Sequence, residues 1–441
     1  MSGKYEVSTQ TIPYIQAVGE IPADIPENCS ISIERHPAPE IYSFGFQPAK
    51  TIPEIPRWFL KKYASRQWKV LEPFAGAGTM IMETVLFRAL PFWTDYHPLA
   101  QLLCRVKTTE FDLEMLQRAY SLVLANAGKR NEAPYSVTFA NKNFWFQKEV
   151  CDALELLKDE ITYYESACRD FLSLVFACTV RKVSNSNGAM ILAARRSHIA
   201  AIPTRTRYDV YQWFNRYAEQ GLSAIREWQS LCNGTQTKAV RLTEDDARQL
   251  TGDCEYDAIV TSPPYVNAID YVWASKFELH WLGYLTSDKE RLGLYSREIG
   301  TERIPSEECE QIGETGYPLL DSLISDIYLG HMYQASPHQN HLRARVLWRY
   351  FVDMQEHLKV SHRILKPTGL YCFAVGDSCR ICGVQVPVAS LLSDFAERLG
   401  FVKRFQFQLL LKNRKLNVPR NVAWADTIKH DTVVVLERQH I

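Results

Sequence analysis

The chain has 441 residues, 46% hydrophobic and 23% charged, with 50 Lys and Arg against 50 Asp and Glu and a formal net charge of zero. That composition suits a globular protein of one large α/β domain with insertions, or of two domains, and excludes a global field able to gather a polyanion. No apolar run reaches the ~20 residues that a bilayer span requires, and eleven cysteines, an odd number scattered behind no secretory signal, predict reduced thiols in a cytoplasmic protein.

Residues 1–40 are rich in Pro, Ser and Glu and lack periodicity, which predicts an irregular N-terminal arm. Lys69 to Phe74 is a short apolar run ending in a glycine-rich turn, Thr79 to Ala89 is helical, and Phe92 to Asp95 is a second strand that ends on an acid. This order predicts a parallel sheet with helices on its faces. Apolar residues spaced three and four apart, clearest from Val150 to Val180, make the stretch from Thr109 to about Thr237 helical. It is too long for a connection, so an inserted subdomain is expected. Strands resume at Ala239–Leu242, Asp257–Thr261, Leu370–Val375, Val402–Leu410 and Asp431–Leu436, the last two placed to pair antiparallel at the sheet edge. Between Gly283 and His341, Pro305, Gly313, Gly316, Pro318 and Pro337 predict a loop-rich excursion. The fold class is therefore α/β: a doubly wound, seven-stranded, Rossmann-like sheet with an inserted helical subdomain. Its sheet domain is expected in three pieces, 41–108, 239–282 and 342–441, separated by the insert 109–238 and the excursion 283–341.

Two stretches carry basic residues and no acid. Phe171 to Arg207 holds Arg181, Lys182, Arg195, Arg196, Arg205 and Arg207; Val402 to Arg420 holds Lys403, Arg404, Lys412, Arg414, Lys415 and Arg420. From these, Arg181, Lys182, Arg195, Arg196, Lys412, Arg414 and Lys415 are the candidate contacts to a polyanion, although most charge runs are simply solvated faces. Cys379 and Cys382 form a lone CxxC with no second pair at zinc-site spacing, so no metal site is expected.

Two motifs carry chemistry. The first is Leu71-Glu72-Pro73-Phe74-Ala75-Gly76-Ala77-Gly78-Thr79, after a strand and opening a helix. Glycines there allow a tight turn and close approach of a ligand, and Asp95 ends the next strand where a carboxylate can take ribose hydroxyls. The third glycine of a dinucleotide fingerprint is missing, which disfavours nicotinamide and flavin cofactors. The second motif, Thr261-Ser262-Pro263-Pro264-Tyr265, stands at the tip of the strand that starts at Asp257. Consecutive prolines end the ladder in a rigid extended turn. A serine oxygen and the next main-chain carbonyl offer two acceptors beside an aromatic ring, a set that matches an amino group with two N–H donors on a flat heterocycle. A proline turn with a packing tyrosine is the plainer explanation of such a motif taken alone.

Together these segments resemble the amino-methyltransferases among DNA methylases, which make N4-methylcytosine or N6-methyladenine. Glu72 to Thr79 is similar to the family's cofactor motif, with Glu72 where Asp is common. Ser262 to Tyr265 is similar to its catalytic motif, Phe46-Gln47-Pro48-Ala49-Lys50 to its N-terminal cofactor segment, and Asp246-Ala247-Arg248 to its adenine-contacting acidic motif. Asn267, Asp270 and Tyr271 also fit the group, whereas Trp93 and Asp245 stand where glycines are usual. The resemblance covers about Phe44 to Lys107 and Arg241 to the end. It implies S-adenosyl-L-methionine held by Phe46, Lys50, Glu72, Pro73, Phe74, Gly76, Gly78, Thr79, Asp95, Asp246 and Ala247, with Ser262, Pro263, Pro264 and Tyr265 catalytic. It implies double-stranded DNA as substrate, the target base flipped out of the duplex, in the cytoplasm or on the nucleoid of a prokaryote. A companion restriction nuclease is left open, as is oligomeric state. The serine heading the catalytic motif favours cytosine N4, because adenine-modifying members usually begin with Asp or Asn. Adenine N6, an RNA base and an inactive DNA-binding subunit stay open as alternatives. No Pro-Cys pair exists to serve carbon-5 methylation.

Overall fold

The computed structural model describes residues 12–48, 50–187, 191–192, 202–233, 237–266, 269–377, 379–410 and 428–440. Its strands are β1 (Tyr14–Val18), β2 (Ser30–Glu34), β3 (Lys69–Glu72), β4 (Leu90–Trp93), β5 (Val240–Arg241), β6 (Tyr256–Thr261), β7 (Leu365–Asp377), β8 (Cys379–Ile381), β9 (Val384–Val386), β10 (Phe401–Leu410) and β11 (His430–Arg438). Nine of them form one sheet in the order β1-β2-β10-β11-β7-β6-β3-β4-β5, and β8 and β9 make a separate ribbon. β11 runs antiparallel to both its neighbours, β10 and β7, and every other pairing in the sheet is parallel.

All seven expected strands lie in this sheet, and β10 and β11 pair antiparallel. They do not form its edge. The arm expected to be irregular supplies β1 and β2, and β2 joins β10 through the pairs Gln408↔Ser30 and Leu409↔Ile31. These strands are only five residues long, and their order comes from a neighbour almost 380 positions away, which local pattern does not report.

Alternation along the strands fills two layers. Leu71, Ile259, Tyr371 and Phe373 face one side, with Tyr350 and Phe351 from the helix Pro337–Ile364. Val70, Ala258, Val260 and Cys372 face the other, against Trp58 and Phe59 of the helix Glu54–Tyr63. Covered on both faces, β7 is buried continuously from Leu370 to Gly376.

The segment 283–341 departs from expectation. It holds the helices Asp288–Arg297, Ser306–Cys309 and Pro318–Leu329 and the start of Pro337–Ile364. Pro318 and Pro337 sit in the first turn of their helices, where the missing N–H costs nothing, and Gly330 closes one at φ 69°. The breakers punctuate helices here.

Among the described residues the insert is helical, with Leu113–Lys129, Lys148–Thr162, Ser166–Val183 and Arg207–Leu231 around a core shared with Met82, Leu99, Leu103, Phe277 and Trp281 from outside it. Phe44, just ahead of the cofactor-like segment, is packed into that core against Gly221. A Cβ at Gly221 would lie 2.6 Å from Phe44 Cζ and 2.9 Å from Phe171 Cε2. Gly221→Ala is therefore expected to cost a net of about 1–2 kcal/mol, overpacking outweighing the better helix propensity. Urea unfolding checks this: a midpoint equal to or above wild type would show that the rings give way freely.

The chain runs outward from β3 to β4 and β5, then returns to β6 on the other side of β3. Strand order thus reverses between β3 and β6, and the crevice outside their carboxyl ends is where an open α/β sheet takes its ligand. No helix among the described residues is long and apolar enough to cross a membrane.

Candidate active site

Glu72 ends β3 at this switch point. Its Oε1 accepts the Phe74 N–H at 2.9 Å and the Thr261 hydroxyl at 2.5 Å, tying the glycine turn to the last residue of β6. Gly76 and Gly78 turn the chain at φ 49° and 80° into the helix Thr79–Phe87. Both angles lie where an L side chain is disfavoured. Asp95 closes the turn from the end of β4: its Oδ2 accepts the Gly76 N–H and its Oδ1 the His97 N–H, each at 2.8 Å. Each oxygen retains a further acceptor position. Beneath the turn the buried Lys107 donates to the Ala77 carbonyl at 3.0 Å. Burial pushes Glu72 up to about 8 and Asp95 up to about 6, the latter despite its two N–H donors. Burial also pulls Lys107 down to about 7.

Across the crevice the Ser262 hydroxyl donates to the Ala374 carbonyl of β7 at 3.0 Å. A hydroxyl has one proton, so Oγ faces any ligand as an acceptor. Tyr265 is pinned from two sides. Its hydroxyl donates to Asp431 Oδ1 at 2.9 Å, and its ring lies against Gly376, where an added Cβ would be 2.6 Å from Cδ2 and 2.7 Å from Cε2. Gly376 and Asp431 are direct partners across β7 and β11, so one rung of the sheet holds the ring.

Glu72, Gly76, Asp95, Ser262 and Tyr265 line one cavity of about 380 Å³, together with Gln47, Lys50, Tyr96, His97, Tyr271 and Ser275. That volume is in the range of small-molecule sites. The buried Ser275 hydroxyl has no hydrogen-bond partner among the described residues, whereas buried His97 bonds the backbone of Tyr271. Burial holds His97 at about 4, so the ring is neutral. Orphaned polar atoms inside a protein are costly unless a ligand or water completes them. Carboxylates for hydroxyls and for positive charge, a neutral imidazole, a hydroxyl and a glycine turn fit a sulfonium nucleoside.

Of the residues expected to hold the cofactor, Lys50, Glu72, Phe74, Gly76, Thr79 and Asp95 line this cavity. The Lys50 ammonium also reaches the carbonyls of Tyr42, Ser43 and Gly45 at 3.2–3.5 Å. Pro73 and Gly78 shape the turn without lining the cavity. Three residues stand elsewhere. Phe46 packs under the Arg181 guanidinium, 3.4 Å from its ring centre. Asp246 is bound by Arg248 at 2.6 Å, and the Ala247 carbonyl faces His357, which stands behind Phe74. Arg181, expected to meet DNA, is paired with fully buried Glu278 at 2.5 Å and also donates to the Ala274 carbonyl, joining the insert to the catalytic half. Lys182 is exposed, its ammonium over Trp213 at 4.3 Å. Arg195, Arg196, Lys412, Arg414 and Lys415, like Ala49 and Asn267, lie outside the described residues. No group of His, Cys, Asp or Glu among the described residues could hold a metal ion.

A sheet ordered third, second, first, fourth, fifth, seventh, sixth about the switch point, with the seventh strand antiparallel, is that of a Rossmann-like methyltransferase fold. No family model matches the chain. It is 22% identical to the type II methyltransferase M.MvaI of Kocuria varians over 422 residues, which span 90% of each chain. It is 20% identical to the type II methyltransferase M.BsoBI of Geobacillus stearothermophilus over 75% of this chain and 72% of that one. To the type II methyltransferase M.AvaI of Nostoc sp. it is 28% identical, over 38% and 36%. Along most of its length the chain is thus similar to type II methyltransferases.

Proposed function

We propose that the protein transfers a methyl group from S-adenosylmethionine to the exocyclic N4 of a cytosine flipped out of duplex DNA, within a specific sequence. The observation that carries this reading is the Ser262 hydroxyl, whose proton is committed to the Ala374 carbonyl. Its oxygen, with the Pro263 carbonyl, is then the acceptor pair that an amine with two N–H donors requires.

When bound, the cofactor supplies a methyl group already activated on positively charged sulfur. Glu72, Asp95, the glycine turn and Lys50 would hold it, with Ser275 offering an unpartnered hydroxyl and His97 a neutral ring on the cavity wall. The protein's task is alignment. A cytosine amine is a poor nucleophile because its lone pair is delocalised into the ring. Accepting both its hydrogens at Ser262 and Pro263 draws it toward a tetrahedral, more nucleophilic form, and Tyr265 presents a ring on which the extruded base stacks. The departing proton passes to water, since a serine hydroxyl is a weak base.

The direct test is incubation with S-adenosylmethionine and unmethylated genomic DNA, digestion to nucleosides and mass spectrometry. N4-methylcytosine is expected. N6-methyladenine would overturn the base assignment and leave the chemistry, and methylated RNA alone would overturn the substrate. A second test addresses the ring. Gly376→Ala places a methyl group against Tyr265, and a loss of turnover of about tenfold, the scale on which small displacements of positioning groups act, is expected with cofactor affinity unchanged. Calorimetry beside steady-state kinetics separates the two, and unaltered turnover would show that the ring's position is unimportant.

A further inference from the structure

We infer that Lys276 binds a backbone phosphate of the DNA strand whose base enters the catalytic cavity; this rests on the DNA methyltransferase reading above. Lys276 follows Ser275, a lining residue of that cavity, and lies two residues after the end of a turn that begins at Asp270. Its ammonium stands 3.7 Å from the Trp273 ring centre, 4.1 Å from Trp145 and 5.2 Å from Phe277.

No hydrogen bond or ion pair to an acid is made by this ammonium among the described residues. The two nearest acids in sequence are engaged elsewhere, Glu278 by Arg181 and Asp270 by Arg303. Half-burial among rings without a counter-ion pulls Lys276 down to about 8. An ammonium held this way is fixed in direction and short of an anion.

The position decides which anion. Trp273 is 39% exposed and Phe144, edge-on to Trp145, is 42% exposed, so the cluster opens to solvent beside the cavity. The Arg303 guanidinium also stands over the Trp273 ring, at 5.5 Å. A base rotated out of a duplex brings its own sugar only as far as the cavity, and the flanking phosphates stay at the mouth. There they meet a fixed cation with aromatic walls, the combination that tracks a nucleic-acid backbone. Trp145 comes from the insert and Lys276 from the catalytic half, so the site exists only where the two meet.

Binding of a fluorescein-labelled duplex carrying the methylated sequence, in the presence of S-adenosylhomocysteine, tests this across 50–200 mM salt. Lys276→Met keeps the aliphatic stem among the rings and removes the charge. It is expected to bind about tenfold more weakly at low salt, with the slope of log K against log salt shallower by about 0.9, the share of one phosphate contact. Lys276→Arg is expected to restore the slope, which a purely structural role would not require. An unchanged slope in Lys276→Met, with cofactor affinity intact and the wild type methylating DNA, would overturn the assignment alone. A wild type that neither binds nor methylates DNA would remove the underlying reading and the assignment with it.

Discussion

Ser262→Ala is expected to lower kcat by about 10²–10³-fold, the scale on which one preorganised hydrogen-bonding group acts in a transition state, while cofactor affinity stays within about twofold. The Ser262 hydroxyl is oriented by the Ala374 carbonyl at 3.0 Å, so its lone pairs are presented without reorganisation when the amine becomes tetrahedral. The contact tightens as the nitrogen loses its conjugation, and the loss belongs in kcat more than in KM. Alanine also strips the Ala374 carbonyl of this donor, at about 1 kcal/mol of stability, so unfolding of the variant is measured beside its kinetics. Single-turnover methyl transfer separates chemistry from product release. A rate within twofold of wild type would remove Ser262 from the reacting set.

The parts of this site that were legible in the sequence are those whose chemistry is contiguous. Glu72 to Thr79 announces a strand, a turn and a helix within nine positions, and Ser262 to Tyr265 does the same for the strand tip. The parts that were not legible depend on distant partners. His97 sits two residues from Asp95, yet only the fold sets Ser275 on the same cavity wall. Arg181 stood in a run without acids and read as a free cation, but its partner Glu278 arrives from 97 positions away. Local charge pattern reports which side chains are charged, and burial decides which of them need an anion. By that criterion Lys276, inconspicuous in sequence, is the more exposed want. Arm strands β1 and β2 failed to register for the related reason that their order is borrowed from β10.

Asp95→Ala is expected to weaken cofactor binding by at least about 100-fold, because one carboxylate performs two jobs. It accepts the Gly76 and His97 amides and offers its remaining lone pairs to the cavity. Removing it orphans two amides, each worth ~1–3 kcal/mol when buried without a partner, and frees the glycine turn. The pH dependence isolates the second job. Asp95 is raised to about 6, so the folded protein binds this proton more tightly than the unfolded chain. Its contribution to apo stability is therefore fully present below about pH 4, near the ordinary aspartate value, and is lost as pH rises through 6. Cofactor binding runs the other way. Hydroxyl donors need the ionised carboxylate, so affinity should fall by up to about tenfold per unit below pH 6. Glu72 lies higher, at about 8, and a second limb between pH 7 and 8 should vanish in Glu72→Gln while the first remains. His97, at about 4, titrates below both. Calorimetry of S-adenosylhomocysteine from pH 5 to 8.5 measures the whole curve. A dissociation constant flat across pH 5 to 7, or an Asp95→Ala variant that binds within threefold of wild type, would confine Asp95 to holding the turn.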